Sequence, residues 1–130
     1  MNKFTLSQKK ELTNFLYGFT AIHDSKINKI EYDKCMIAIY LSNLYLNRKI
    51  IISFEKIEKA CFLRSEDKWS DDDSISTLVL DDGNNQSKDL AFLIEKHNGD
   101  CINIVCKNIS IRETGETGDG SLSPTKAPLE

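Results

Sequence analysis

Apolar positions along this chain alternate with a period of two far more often than they recur at helical spacing. The densest run is Arg48-Lys49-Ile50-Ile51-Ile52-Ser53-Phe54-Glu55, β-branched and aromatic residues flanked by charge, which predicts a strand. It would place Ile50, Ile52 and Phe54 on one face and Ile51 and Ser53 on the other, so both faces need cover, or the sheet must close into a barrel. Upstream, residues 26–33 predict a strand, and the break in alternation between Ile27 and Ile30 reads as either a bulge or a late strand start. A tight turn at Asp33-Lys34 leads into a second strand over residues 35–41. Residues 42–47 read as either a wide hairpin loop or a strand extension.

Downstream, residues 60–64 read as another short buried run and residues 77–80 as a brief strand. Residues 90–96 and 101–107 predict a hairpin across His97-Asn98-Gly99-Asp100, where Asn-Gly favours a type I′ turn. Ile102, Ile104 and Cys106 share a face of its second strand, and Ile109 and Ile111 extend it. Only residues 6–17 have helical spacing: Thr5 and Gln8 stand at capping-box distance, Leu12, Phe15, Leu16 and Phe19 form an apolar stripe facing the sheet, and Gly18 ends the helix. The expected fold is α+β and mainly β, with one N-terminal helix packed on a curved antiparallel sheet or partly open barrel of roughly six to eight strands.

Composition sharpens this picture at three points. A chain of 130 residues, 40% hydrophobic and 28% charged, suits one domain with its own core. Fifteen Ile against five Ala favour pleated surfaces over helices. Residues 113–130 hold three of the six Gly and both Pro and offer little to bury, so the domain is expected over residues 1–112, followed by a disordered tail that is partly vector-encoded.

Charge is uneven. The net value is -3, yet residues 65–89 carry eight acids against Lys68 and Lys88, a local net of -6. That asymmetry argues against a general nucleic-acid binder, which needs a basic face, and suits a basic partner docking on one region. Within it, Glu66, Asp67, Asp71, Asp72, Asp73, Asp81 and Asp82 surround Trp69, which serves either as a lid folded onto the core or as the aromatic anchor of an interface.

Catalytic chemistry finds little support. Asp71-Asp72-Asp73 lacks the alternating oxygens and the glycine of a calcium loop and reads as a solvated acidic loop. His23 could be a base oriented by Asp24, but adjacent residues seldom face one another, and the pair reads as part of a polar turn. His97 reads as an exposed hairpin residue. With the two His distant in sequence and no Cys-x-x-Cys pair, no zinc site is expected. Cys35, Cys61, Cys101 and Cys106 read as reduced core thiols of a cytosolic protein. There is no phosphate loop, no nucleophile elbow, no secretory leader pattern and no apolar run long enough to span a bilayer.

The segment Ala21-Ile22-His23-Asp24-Ser25-Lys26-Ile27-Asn28-Lys29-Ile30-Glu31-Tyr32-Asp33 resembles the opening of a large group of small bacterial proteins, several of which are immunity proteins of polymorphic-toxin and contact-dependent growth inhibition systems. In that group a His-Asp dipeptide and alternating Ile lead into a β-meander. The likeness extends in style to Arg64 and again over residues 90–111; the N-terminal helix and acidic insert depart from it. What the resemblance implies is a cytoplasmic, non-enzymatic protein, without cofactor, that binds and neutralises a toxin domain, commonly a nuclease. The acidic region would then plug a basic, phosphate-holding surface. The alternative is a general β-domain that binds another protein or a small ligand, which a deep apolar pocket would favour. A hydrolase built on His23 is a third reading.

Overall fold

The computed structural model describes residues 2–66, 71–80 and 89–115. Its strands are β1 (Asn2–Thr5), β2 (Lys26–Asp33), β3 (Met36–Asn43), β4 (Arg48–Leu63), β5 (Ile75–Leu80), β6 (Leu90–Lys96) and β7 (Cys101–Gly115). Among the described residues these form one antiparallel sheet in the order β2-β3-β4-β7-β6-β5, with β1 paired to the C-terminal half of β7. The outermost strands β2 and β5 do not pair with each other, so the sheet is open and not a barrel.

The helix forms where its pattern predicted. Gln8 Oε1 accepts from the Thr5 backbone N–H at 3.0 Å, a 3₁₀ turn spans Leu6–Gln8, and α1 follows over Lys9–Gly18. Leu12 is fully buried, and Phe15, Leu16 and Phe19 pack partly against the core. Phe15 lies between Phe4 of β1 and Phe19, with ring centroids 5.4 and 5.1 Å away. Gly18 ends the helix without a left-handed φ, so termination there does not use the glycine-specific geometry. α1 is too short to cross a membrane, and no helix among the described residues is long and apolar enough to do so.

The long strands β4 and β7 are neighbours from Leu63↔Cys101 to Lys49↔Gly115. Ile50, Ile52 and Phe54 of β4 face the core, as do Ile102, Ile104 and Cys106 of β7. Beyond Cys106 the core-facing positions of β7 change parity to Ile109 and Ile111. Opposite that change β4 is bulged between Ile57 and Lys59, with Lys56 at φ 57°. The bulge bends the sheet, and Phe54 and Phe92, on strands separated by β7, meet edge to face at 5.2 Å. The break in alternation between Ile27 and Ile30 proves to be a bulge, with the register of β2 shifting between Ile27 and Lys29.

The molecule departs from the expected pattern at several points. Residues 60–63 are not buried: β3 stops pairing at Met36↔Glu55, so β4 outruns it and leaves Ala60, Cys61, Phe62 and Leu63 exposed. Ile51 and Ser53 are half-buried, because among the described residues no second layer covers that face of β4. The hairpin at Asn98-Gly99 is not type I′. Only Gly99 has positive φ (102°), and its N–H donates to Lys96 O at 3.0 Å while Lys96 N–H donates to Asp100 O at 2.9 Å, giving a three-residue loop closed by glycine. The strand β7 runs three residues past the expected boundary at Arg112, and Glu113 receives both arms of the Arg48 guanidinium. Finally, the four cysteines are free, but Cys35 and Cys61 are exposed and Cys101 is half-exposed, leaving Cys106 as the one core thiol of the four.

Candidate functional site

Two features converge at the β5 edge of the sheet. The first begins with the turn that follows α1. A 3₁₀ turn over Thr20–Ile22 buries Ala21 and Ile22, and the chain then reverses at Asp24, whose φ of 67° is left-handed. Aspartate tolerates that conformation better than most residues. Buried side chains hold the turn: Ser25 Oγ donates to Ala21 O at 2.6 Å, and Asn43 Nδ2 donates to Ala21 O at 2.8 Å and His23 O at 3.0 Å. Asn43 Oδ1 accepts from Leu46 N–H at 3.0 Å, so one side chain ties this turn to the β3–β4 connection. The turn also covers the start of β5, where Asp24 N–H donates to Ile75 O and Ile75 N–H to Ser25 O, both at 2.8 Å.

This geometry brings the two histidines together. His97 donates from Nε2 to Asp24 Oδ1 at 2.8 Å, and His23 Nε2 stands 3.5 Å from Asp24 Oδ2. The rings lie 5.7 Å apart, and His23 Nδ1 bonds Ser76 O at 2.7 Å. His97 is therefore not a free hairpin residue, and His23 and Asp24 do face each other. The left-handed φ at Asp24 swings its carboxylate back beside the preceding ring, which strand or helix geometry would prevent.

The acidic segment is fastened to the same rim. Ser65 N–H donates to Asp100 Oδ1 at 2.7 Å at one end, and His97 N–H donates to Ser74 O at 2.9 Å at the other. Of the predicted interface residues, Glu66, Asp71, Asp72 and Asp73 are exposed; Asp67, Trp69, Asp81 and Asp82 lie outside the described residues. Asp72 accepts from Ser74 Oγ at 2.6 Å and Ser74 N–H at 2.9 Å, and these bonds hold its carboxyl below the usual range. Its role is partly to shape the loop. Asp73 stands 3.9 Å from Lys26 Nζ.

The second feature is a groove of about 490 Å³ between α1 and the edge strand β5, lined by Leu16, Tyr17, Phe19, Leu78, Val79 and Leu80, with His23 at its rim. Its lining is apolar. Tyr17 is 90% exposed and Val79 44%, large side chains presented to solvent where a partner could cover them. By contrast the opposite edge, β2, carries Lys26, Lys29, Glu31 and Asp33, charges that discourage strand pairing, while β5 has none.

Parts of this arrangement leave a mark in the sequence: the His-Asp dipeptide and the acidic run. The approach of His97 leaves none, nor does the role of Asn43, a polar residue ending a strand that becomes buried only through contacts with a distant turn. Among the described residues, fold and surface together define an open antiparallel sheet covered on one face by a helix, with exposed acids beside an apolar groove. Comparison with known protein families and with curated proteins gives no match.

Proposed function

We propose that this chain is a non-enzymatic binding protein of the toxin-neutralising kind, acting in the cytoplasm, whose acidic rim docks on a basic protein domain, a nuclease toxin foremost. One observation carries the reading. Glu66, Asp71 and Asp73 are exposed while the segment bearing them is tied at both ends to the β6–β7 hairpin, so the negative charge is held in place and still faces solvent. Preorganised charge of this kind steers a partner of opposite sign and costs little ordering on binding. The apolar groove beside it supplies the desolvated contact that charge alone does not.

The test is binding and protection against any basic toxin-like domain found encoded beside the gene, using Glu66→Lys/Asp71→Lys/Asp73→Lys. The expected result is an association rate lowered roughly 10-fold or more at low salt, with the difference shrinking as salt is raised. Unchanged binding and protection would refute the reading. The groove favours a second one, a domain for an apolar small ligand or peptide, since its volume lies within the roughly 300–1,000 Å³ typical of such sites. In that case Leu16→Glu abolishes uptake of an apolar dye and the charge reversals leave it intact.

A further inference from the structure

His23, Asp24 and His97 each offer a ligand atom, and these atoms all lie within 4.8 Å of one another. Ser76 O is a carbonyl and can only accept, so His23 Nδ1 carries the proton of their 2.7 Å bond. In the neutral ring the other nitrogen, Nε2, then carries a lone pair 3.5 Å from Asp24 Oδ2. A lone pair facing a carboxylate is an arrangement that a cation between them relieves. A backbone carbonyl on the far nitrogen is also the support that metal-binding imidazoles commonly have, because it fixes tautomer and ring orientation.

We propose that His23, Asp24 and His97 form a three-ligand site for a divalent first-row transition metal ion, zinc foremost. Two imidazoles and one carboxylate suit zinc, whereas calcium and magnesium call for oxygen ligands. Ligands bonded at about 2.0–2.2 Å to one ion stand roughly 3.0–3.5 Å apart. The observed separations of 2.8 and 3.5 Å from the two oxygens of Asp24 need only small rotations of these side chains to meet that condition, the ion taking the place of the His97 Nε2 proton while the neutral ring keeps its proton on Nδ1. The backbone behind each ligand is already fixed. Asn43 holds His23 O, Ile75 O holds Asp24 N–H, and Ser74 O holds His97 N–H. Exposed Asp73 and Asp72 on the adjoining loop add a negative field that favours a cation. Three protein ligands leave a coordination position for water, and the ion would clip the turn after α1 to the β6–β7 hairpin.

The experiment is calorimetric titration of Zn²⁺ into the metal-free full chain, repeated with Co²⁺ followed by visible absorption. The expected result is one equivalent bound and a cobalt spectrum of low-symmetry nitrogen and oxygen ligation without thiolate charge-transfer bands, which separates this site from exposed Cys35 and Cys61. His97→Ala and Asp24→Asn should each weaken binding by roughly tenfold or more. His23→Ala, at a side chain 58% exposed, removes a ligand without disturbing the core, and its fold is checked by circular dichroism. Absence of one-to-one binding in the parent chain, or equal affinity in a folded His23→Ala variant, would overturn the proposal and leave a hydrogen-bonded His-Asp-His cluster.

Discussion

Asn43 shows how a single polar side chain organises this molecule. It is 2% exposed, and its amide makes three hydrogen bonds to the His23 turn and the β3–β4 connection. Truncation leaves His23 O and Leu46 N–H without this partner and Ala21 O with Ser25 Oγ alone, so Asn43→Ala is expected to cost about 1–3 kcal/mol, read as a lowered midpoint of chemical unfolding. The cysteines diverge at this scale too. Burial pushes the Cys106 thiol up to about 12 from an ordinary 9.0, and its Sγ–H donates to Asn108 O. A rise of that size reduces its thiolate population roughly 1,000-fold at neutral pH. Mass spectrometry after brief alkylation of the folded protein should therefore show Cys35 and Cys61 modified and Cys106 untouched. The raised value has a sign for stability as well. An unfolded chain loses that proton near 9 and the folded one near 12, so stability present below pH 9 falls as pH rises between them, and Cys106→Val should flatten that alkaline decline.

Among the elements, α1 is the piece whose limits are readable in advance, since capping residues, apolar stripe and terminal glycine are local signals. Gly18 keeps a negative φ, and a Cβ built there meets nothing within 4 Å. Gly18→Ala is thus expected to stabilise the protein by about 0.4–1 kcal/mol, visible as a raised thermal midpoint. The strands are legible in position but not always in environment. Residues 60–63 carry the same apolar pattern as residues 50–54, yet only the latter lie beside β3 and under the helix-covered face. Alternation reports what a strand could bury; whether it does depends on how far its neighbours extend. The β6–β7 turn makes a similar point. Asn-Gly located the reversal, but the pairing of Lys96 with Asp100 selected a longer loop.

At the scale of the whole molecule, the packed face of the sheet is one continuous core running from Ile37 on β3 to Ile75 on β5, closed by Leu12, Ala21 and Ile22 from the segments that cross it. Phe54 sits at its centre, fully buried against Phe92. Phe54→Ala should cost about 3–5 kcal/mol, a large share of a small domain's stability, measured by denaturant titration. The charge asymmetry belongs to this scale as well. With Glu66, Asp71, Asp72 and Asp73 exposed beside the β6–β7 turn, binding to a basic domain should weaken steeply with salt, whereas occupation of the groove by an apolar ligand should not.

From the sequence alone came the class of fold, the single helix, the places of strands β2 to β7, an irregularity in β2 and the acidic character of one region, because each rests on local propensity, side-chain period or composition; the short strand β1, defined by its pairing with β7, was not among them. Tertiary structure decided the rest. It fixed which strands stand at the ends of the sheet among the described residues, where β4 outruns its neighbour, and that the acidic segment is fastened to a hairpin. It also brought His97 onto Asp24 from the far side of the chain. Those outcomes depend on contacts between residues distant in sequence and on one left-handed aspartate, and no local pattern encodes them.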